Sequence, residues 1–343
     1  MERERDWRPD VLGDGFQQLT LPLEPDAEGE VVATLVRFSP GLRWTDLGRR
    51  SSVAADTDVL YVHGWSDYFF QTELARFWHD HGARFYALDL RKYGRSLRPG
   101  QTPGFIEDLA TYDEDIEAAL AAMAQHVGSR RRLVLLGHST GGLTLSLWAS
   151  RNPGRAHTLI LNSPWLEFQA RSAGRAALAP LVGLQARIDP RAAMPNVDLG
   201  FYTRTVSRTM DGEWDYDLAW RPVRGFTAHP AWLRAVLAAH ARVAAGLGIE
   251  APVLTLVSAR STILPYWTPD MMTSDIVLMV DDIAMRSLRL ARTVTVARIE
   301  GALHDVFLSR APARASAYAE MLQWCRSYLT RSERQPAPTV TGS

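Results

Sequence analysis

The sequence has 343 residues, with 38 Lys plus Arg against 38 Asp plus Glu, and therefore no formal net charge. The lack of a basic excess argues against nucleic-acid binding, and an apolar fraction of 46% excludes a wholly disordered chain. The single cysteine, Cys325, excludes an internal disulfide framework and a multi-cysteine zinc site.

The two ends of the chain are polar. Residues 1–15 are expected to be loosely ordered, and residues 331–343 (RSERQPAPTVTGS) to be disordered. The first ten residues, MERERDWRPD, lack the apolar stretch of a secretory signal, and no run of about 18 apolar residues predicts a transmembrane helix. With so little cysteine, we expect a cytoplasmic protein.

Short apolar runs alternate with helical patterns through the first half of the chain. The predicted strands lie at residues 31–38, 58–62, 84–90, 132–136 and 158–162, and the predicted helices at 74–81, 105–126 and 141–151. Strands are expected again at 252–258 and 293–299, with helices at 283–290 and 313–329. This alternation predicts an α/β fold with a mostly parallel central sheet flanked by helices.

The alternation breaks between residues 165 and 248. This segment holds two Ala-rich helical patterns, at 173–186 and 231–245, and an aromatic stretch, GEWDYDLAW. We therefore predict a core made of residues 16–164 and 249–330, interrupted by a helical insertion at 165–248.

A candidate nucleophile follows the strand at 132–136. Gly137-His138-Ser139-Thr140-Gly141 matches G-x-S-x-G, with a strand before it and a helix after it. A nucleophilic serine must protrude from a tight strand-to-helix turn, and glycines on either side remove Cβ atoms that would collide there. The alternative, a chance match in a loop, lacks this flanking pattern.

An acyl-transfer site also needs two N–H donors for the developing oxyanion. One is expected from Thr140, directly after Ser139, at the start of a helix. The other is expected from Trp65, because His63-Gly64-Trp65 ends an earlier strand and Gly64 permits close approach. The alternative is an ordinary turn glycine beside a core tryptophan.

The general base should follow the last strand. His304 meets this condition, since it comes shortly after the strand at 293–299. His138 is expected to pack beside Ser139 rather than act as the base. The other histidines fall in the insertion or at positions typical of surface or structural residues: His79, His81, His126, His157, His229 and His240.

The acid that orients the base carries the weakest signal. No carboxylate directly follows the strand at 252–258, and the candidates come later: Asp270, Asp275, Asp281 and Asp282. We favour Asp275, which begins a short apolar run. Asp281 and Asp282 stay as alternatives, although both suit the first turn of the next helix, where acids complement the helix dipole.

Four segments resemble one family: VHGW (62–65), DLRKYGRS (89–96), GHSTGG (137–142) and GALHD (301–305). Together they are similar to α/β-hydrolases of the serine-aminopeptidase-like group that includes monoacylglycerol lipases and lysophospholipases. The sequence departs from the group at Lys92, where a glycine is usual. It also lacks the usual Gly-x-x-Asp after the second-last strand, which would make residues 262–274 an insertion before Asp275.

The resemblance implies that the insertion is a cap over the active site. Its aromatic residues suit an apolar substrate, and we select Trp165, Tyr202 and Trp214 as candidate substrate contacts. The alternative is that these side chains only pack the cap onto the core. The first cap helix is moderately amphipathic, so a transient contact with a membrane surface is one prediction, against an ordinary buried face.

The leading hypothesis is a serine hydrolase that cleaves carboxylic esters, with lipid-like esters of the monoacylglycerol or lysophospholipid type implied by the resemblance. No metal or organic cofactor is required, and the expected partner is a small apolar ester. One alternative is transfer of the acyl group to another nucleophile, or amide cleavage, by the same acyl-enzyme. The other is a non-catalytic scaffold, which the displaced acid favours.

Overall fold

The computed structural model describes residues 7–41, 53–124, 131–168 and 171–329. The predicted tail at 331–343 lies outside these ranges. Within these ranges, nine strands form one sheet in the order β1-β2-β3-β5-β4-β6-β7-β8-β9. Strands β4 to β9 run parallel to one another. Strands β1, β2 and β3 lie at one side of the sheet, and each is antiparallel to its neighbours. The predicted α/β fold with a mostly parallel sheet is confirmed.

The strands are β1 (Arg8–Pro9), β2 (Phe16–Asp26), β3 (Gly29–Phe38), β4 (Thr57–Val62), β5 (Arg84–Asp89), β6 (Arg132–His138), β7 (Thr158–Asn162), β8 (Val253–Ser258) and β9 (Val294–Ile299). The helices are α1 (Thr72–Asp80), α2 (Tyr112–Ala124), α3 (Thr140–Arg151), α4 (Arg171–Ile188), α5 (Phe201–Val206), α6 (Pro230–Ala245), α7 (Val280–Ser287) and α8 (Ala311–Leu329).

The central strands are apolar on both faces because helices cover the sheet from both sides. Side chains of β4 divide between two cores, with Leu60 and Val62 on one face and Val59 and Tyr61 on the other. Helices α2, α3 and α6 contribute to the first core, and α1 and α8 to the second. The carboxyl ends of the parallel strands therefore meet at one edge, where ligands commonly bind in this kind of sheet.

The N-terminal region departs from the prediction. Strand β2 was not expected, although Leu19, Leu21 and Leu23 alternate along it and are all buried. Residues 7–15 are also more closely tied to the core than their polarity suggested, since β1 pairs with β2 and Asp10 is buried against Arg95 at 2.6 Å.

The helix expected at residues 105–126 begins later, at Tyr112, after a 3₁₀ turn over Leu109–Thr111. Asp108 caps that turn by accepting the Ala110 N–H at 2.9 Å. The periodic apolar pattern extends across this cap because Phe105 and Ile106 are buried without being helical. A short-range cap thus sets a boundary that hydrophobic spacing does not reveal.

The residues that we call the cap segment, 165–248, contain α4, α5 and α6. None of the described residues in this segment joins the nine-stranded sheet. Helix α6 packs into the core that contains α2 and α3, through buried residues such as Trp232, Val236 and Val243. This arrangement agrees with the predicted helical insertion, whose boundaries as a separate domain stay a prediction.

Lys92, the residue that replaces a usual glycine, has a left-handed backbone with φ of 63°. Its side chain is buried, and its ammonium group lies 2.6 Å from a carboxylate oxygen of Glu28 and also pairs with Asp26. Arg191 of the cap segment pairs with the same Glu28. The only lysine of the chain therefore helps to join the β2–β3 turn, the loop after β5 and the cap segment.

Candidate active site

Ser139 lies on a sharp turn between β6 and α3. Its backbone has φ of 50° and ψ of −116°, an uncommon conformation for a residue with a side chain. Strain of this kind concentrates at functional sites, and it matches the nucleophile turn that the G-x-S-x-G pattern predicts.

The neighbouring glycines allow this turn to pack tightly. A Cβ atom at Gly141 would lie 2.3 Å from the carbonyl oxygen of His63, and one at Gly137 would lie 2.7 Å from the Cα of Gly142. A Cβ atom at Gly64 would lie 3.2 Å from the Cβ of Ser139. The loop after β4 and the serine turn thus approach each other at a distance that side chains at these positions would prevent.

The N–H groups of Trp65 and Thr140 belong to the two segments that approach each other here: Trp65 follows Gly64, and Thr140 follows Ser139. Neither has a hydrogen-bond acceptor among the described residues. His63 fixes the loop that carries Trp65, because its Nε2 accepts the Leu90 N–H at 3.1 Å and its Nδ1 lies 2.7 Å from the Gly64 carbonyl oxygen. Burial lowers the pKa of His63, in keeping with a neutral ring that both donates and accepts.

His304 follows β9 and lies against Asp275. The two residues are buried, with 2.8 Å between His304 Nδ1 and Asp275 Oδ2. A carboxylate can only accept, so Nδ1 carries the proton and Nε2 is left as the acceptor. The other oxygen of Asp275 accepts the N–H groups of Val277 and Leu278, each at 2.8 Å.

A loop closed by main-chain hydrogen bonds brings Asp275 to this position. After β8 the chain leaves the sheet at residue 259 and returns where Asp275 N donates to the Arg260 carbonyl oxygen at 3.0 Å. Thr262 N donates in turn to the Asp275 carbonyl oxygen at 2.8 Å. Residues 261–274 therefore form a loop whose two ends meet, so that the carboxylate lies close to the end of β8.

The other candidate acids lie elsewhere. Asp270 is exposed and faces Arg260 at 3.5 Å, and Asp281 is exposed and pairs with Arg298 at 2.6 Å. Asp282 belongs to the first turn of α7, as expected for an acid at a helix start. Among the described residues, Asp275 is the carboxylate bonded to His304.

His138 connects the serine turn with the histidine. Its ring centroid lies 4.9 Å from that of His304, and burial lowers its pKa. Ser139 Oγ and His304 Nε2 share no hydrogen bond within the described ranges, although both belong to the same edge of the sheet. Such contacts are often long before substrate binds.

Aromatic side chains form an apolar wall where the loop after β4 meets the cap segment. The indole of Trp65 lies on that of Trp232 in α6, with ring centroids 3.8 Å apart, and Trp165 lies 6.0 Å from Trp232. Phe226 adds an edge contact to Trp65 at 6.0 Å. This apolar wall joins the loop after β4 to the cap segment.

A buried polar cluster, which is not predicted from the sequence, joins the loop after β4 to a different part of the cap segment. The carboxylate of Asp67 lies 3.1 Å from the guanidinium of Arg221, which comes from the cap segment, and both side chains are buried. Burial raises the pKa of Asp67, and the charge of Arg221 opposes that rise. The guanidinium carbon of Arg221 also lies 4.9 Å from the ring centre of Tyr202 and 4.7 Å from that of Tyr216.

Several polar atoms of this cluster have no hydrogen-bond partner among the described residues. They are Arg221 Nη1 and the hydroxyl groups of Tyr202 and Tyr216, and Asp67 Oδ1 has only its ion-pair contact with Arg221 Nε at 3.1 Å. Buried polar atoms are nearly always bonded, so a group of unpaired ones indicates a place for a ligand or water. No short sequence pattern predicts the cluster, because Asp67 and Arg221 are far apart in the chain.

The three candidate substrate contacts differ in their surroundings. Tyr202 meets the ring of His304 edge-on at 5.5 Å, and Trp165 belongs to the apolar wall. Trp214 is instead held between cap segment and core, since its Nε1 donates to the Leu308 carbonyl oxygen at 2.9 Å. For Trp214 the geometry favours the packing alternative.

Trp165 also ties the cap segment to the serine turn through its main chain. Its N–H donates to the Ser139 carbonyl oxygen at 3.0 Å. Its own carbonyl oxygen accepts from His240 Nε2, in α6, at 2.9 Å. His240 is buried, so this link lies inside the protein.

Helix α4 exposes part of its apolar surface, which differs from the ordinary buried face weighed above. Leu181 is 66% exposed and Leu184 57% exposed, whereas Val182 and Ala186 are buried. Ile188 continues the stripe at 71% exposure. In the described ranges, no helix is long and apolar enough to cross a bilayer.

The family model for the serine aminopeptidases, S33, matches residues 54–309. The chain belongs to this family. The match extends from just before β4 to just after the histidine loop, and so includes Ser139, Asp275 and His304. The predicted resemblance is thereby confirmed.

Two curated relatives match shorter regions. A monoacylglycerol lipase of Mycolicibacterium smegmatis is 27% identical over 154 residues, covering 43% of this chain and 53% of that protein. A 1-acylglycerol-3-phosphate O-acyltransferase of Mus musculus is 28% identical over 137 residues, 38% of this chain and 36% of that protein. The chain thus matches about half or less of the length of these relatives.

Solved structures support the α/β-hydrolase fold. The monoacylglycerol lipase of Paleococcus ferrophilus superposes with a TM-score of 0.58 at 20% identity, over 79% of this chain and 94% of that one. A soluble variant of the Saccharomyces cerevisiae monoglyceride lipase, in complex with a substrate analogue, gives 0.60 at 13% identity over 96% of both chains. At these identities the likeness concerns the fold alone.

Proposed function

We propose that the protein is a serine hydrolase that cleaves lipid-like carboxylic esters through an acyl-enzyme on Ser139. The observation that carries the proposal is the 2.8 Å bond between His304 and Asp275, at the sheet edge where Ser139 occupies its strained turn. This bond weighs against the scaffold alternative, which depended on a missing acid.

In the first step, Ser139 Oγ attacks the ester carbonyl carbon while His304 Nε2 takes its proton. The carbonyl electron pair moves to the oxygen, which accepts the N–H groups of Trp65 and Thr140. Asp275 holds the ring of His304 and stabilises its positive charge. When the carbonyl re-forms, the alkoxide leaves with the proton from His304, and the acyl group stays on Ser139.

In the second step, His304 takes a proton from water, whose oxygen attacks the acyl carbon. The bond to Ser139 Oγ breaks, the serine regains its proton from His304, and the carboxylic acid departs. The same N–H groups stabilise the second oxyanion. Neither step routes a bond change through a metal or an organic cofactor.

The aromatic wall and the polar cluster support an ester with an apolar acyl group and a polar alcohol. Trp65, Trp165 and Trp232 offer a surface for an acyl chain. Arg221 Nη1 and the hydroxyl groups of Tyr202 and Tyr216 have no hydrogen-bond partner among the described residues and can bind the hydroxyl groups of an alcohol, which both donate and accept. Because the charge of Arg221 already faces Asp67, the cluster favours a neutral alcohol over a phosphorylated one, and so a monoacylglycerol over a lysophospholipid.

The test is labelling with a fluorophosphonate probe, together with turnover of a monoacylglycerol and of the lysophospholipid with the same acyl chain. Labelling of Ser139 and faster turnover of the monoacylglycerol are expected, and Ser139→Ala should lose both. Ser163→Ala is the matched control, because Ser163 is also buried with a left-handed backbone, φ of 43°, at the end of the next strand. A folded protein without label or turnover would contradict the proposal.

Acyl transfer is the second candidate, and one of the relatives favours it. The matched protein of Mus musculus is a 1-acylglycerol-3-phosphate O-acyltransferase. Adding glycerol or an amine during turnover would reveal transfer as a new acyl product. If the free acid alone forms at every acceptor concentration, hydrolysis is the reaction.

The exposed side of α4 and the composition of the chain lead to two further predictions. The exposed apolar stripe of α4 supports a transient contact with a lipid surface, as expected for an enzyme whose substrate partitions into membranes. Sedimentation with phosphatidylcholine vesicles, comparing wild type with Leu181→Ser, measures this contact. A cytoplasmic location stays a prediction from composition.

A further inference from the structure

Asn162, the last residue of β7, supports the serine turn through its main chain. Its carbonyl oxygen accepts the Ser139 N–H at 3.0 Å and faces His138 Nδ1 at 3.1 Å. Asn162 is fully buried between β6 and β8. A residue in the middle of the sheet thus fixes the backbone of the candidate nucleophile.

The side chain of the same asparagine supports the histidine loop. Its Nδ2 donates to Asp305 Oδ1 at 2.6 Å, and its Oδ1 accepts the Val306 N–H at 3.1 Å. Both partners directly follow His304. One residue therefore bonds to the chain on either side of the space where Ser139 and His304 must meet.

Asp305 is held entirely by neutral donors. Besides Asn162, it accepts the Phe307 N–H at 2.9 Å and Gln71 Nε2 at 3.1 Å, and its side chain is fully buried. Within the described part of the chain, no cation makes a hydrogen bond to this carboxylate. Such bonds are directional and short, so they fix the carboxylate and the loop that carries it.

We propose that Asn162 and Asp305 form a positioning pair that sets the separation of Ser139 from His304. The inference rests on the proposed function, because the pair acts on the serine and histidine of that mechanism without touching the substrate. The histidine already has Asp275 to set the orientation of its ring. The pair instead sets the position of the His304 loop relative to the serine turn. Asp275 does not contact that turn.

The test exchanges the two side chains. Asn162→Asp alone sets two carboxylates against each other, and Asp305→Asn alone sets two amides against each other. The double variant Asn162→Asp/Asp305→Asn restores a donor facing an acceptor. Each single variant is expected to lower kcat and the rate of fluorophosphonate labelling on the order of 10- to 100-fold, as misplacement of reacting groups does. KM should change less than about threefold, because substrate contacts are untouched.

The double variant should regain most of the lost rate, a recovery that a general loss of stability would not produce. Thr158→Val is the matched control, since Thr158 is a fully buried polar residue at the other end of β7. It should keep the wild-type kcat. Asn162→Ser, which keeps the main-chain bonds and removes the bridge, serves if an exchanged variant fails to fold.

Full kcat in folded Asn162→Ser, a loss confined to KM, or no recovery in a folded double variant would each overturn the positioning pair. All three outcomes are compatible with an active wild-type enzyme. A wild-type protein that neither labels nor turns over ester would instead overturn the proposed function, and with it this role.

Discussion

Trp65 and Trp232 lie one on the other with ring centroids 3.8 Å apart, although one belongs to the loop after β4 and the other to α6. Trp232 is 5% exposed, so the contact is inside the protein. It connects the loop that presents a proposed oxyanion donor to the cap segment. The position of that donor therefore depends on the packing of a helix that is distant in the sequence.

Replacing Trp232 by Ala should affect both stability and rate. Loss of a buried tryptophan is expected to lower the free energy of unfolding by about 3 kcal/mol or more, and the freed Trp65 loop should lower kcat. Trp232→Phe keeps an aromatic partner and should lose less of each. Urea denaturation and steady-state kinetics measure the two effects. Equal kcat in folded Ala and Phe variants would contradict the link.

Asp275→Asn tests the assignment of the acid. The amide cannot hold the same tautomer of His304, so kcat should fall by about 10⁴ with little change in KM. Asp281→Asn is the control, because that acid makes an exposed ion pair with Arg298. It should stay within about 1 kcal/mol of wild-type stability and keep full activity. Loss of activity in Asp281→Asn, with full activity in Asp275→Asn, would instead assign the acid to Asp281 in α7.

Gly141→Ala tests the close approach at the serine turn. Its Cβ would fall 2.3 Å from the backbone oxygen of His63, which cannot move without displacing the Trp65 loop. Loss of labelling at Ser139 and lower stability are expected. Gly183→Ala in α4 meets no atom within 4 Å and should raise stability by roughly 0.5–1 kcal/mol. Thermal unfolding and probe labelling distinguish the two variants.

Glu28 gives a prediction of pH dependence. Burial raises its pKa, but hydrogen bonds from Lys92 and Thr102 outweigh that effect and lower the pKa to about 2. A carboxylate with a lowered pKa stabilises the fold above its unfolded pKa, about 4.3, and this stabilisation is lost as pH falls through the folded pKa.

The stability difference between wild type and Glu28→Gln should therefore be constant from pH 7 to about 5 and shrink from there towards pH 2. Urea denaturation across this range measures it. Glu30→Gln, at an exposed position in β3, is the matched control. A difference that grows on acidification would mean that Glu28 does not bind Lys92 as a carboxylate.

The serine turn could be predicted from the sequence because its determinants are local. A strand, two glycines and a helix within about a dozen residues specify the conformation of Ser139. Strand β2 also carried a local signal, the alternation of Leu19, Leu21 and Leu23. Pro22 is tolerated in this strand because β1 pairs only with Gln17 and Gln18, which leaves the later part of β2 at the edge of the sheet.

Non-local determinants do not appear in short windows of sequence. The apolar run that begins at Asp275 favours this residue as the acid, but its position depends on the closure of a loop by Arg260 and Thr262, which hydrophobic spacing does not indicate. The pairing of Asp67 with Arg221 depends on how the cap segment lies over the core. Both are tertiary relationships between distant residues, so no window of sequence contains them.

Two hydrogen bonds join the His240 side chain to the Trp165 main chain and the Trp165 main chain to Ser139. They limit the motions of the cap segment that could let an ester reach the site. A rotation of the cap segment about its first residue would break both hydrogen bonds in a buried place, where lost bonds are costly. The start of the cap segment is therefore part of the fixed frame, and access must come from displacement of later residues. Slow amide hydrogen exchange at Trp165, beside faster exchange in α4, would be the corresponding signature in solution.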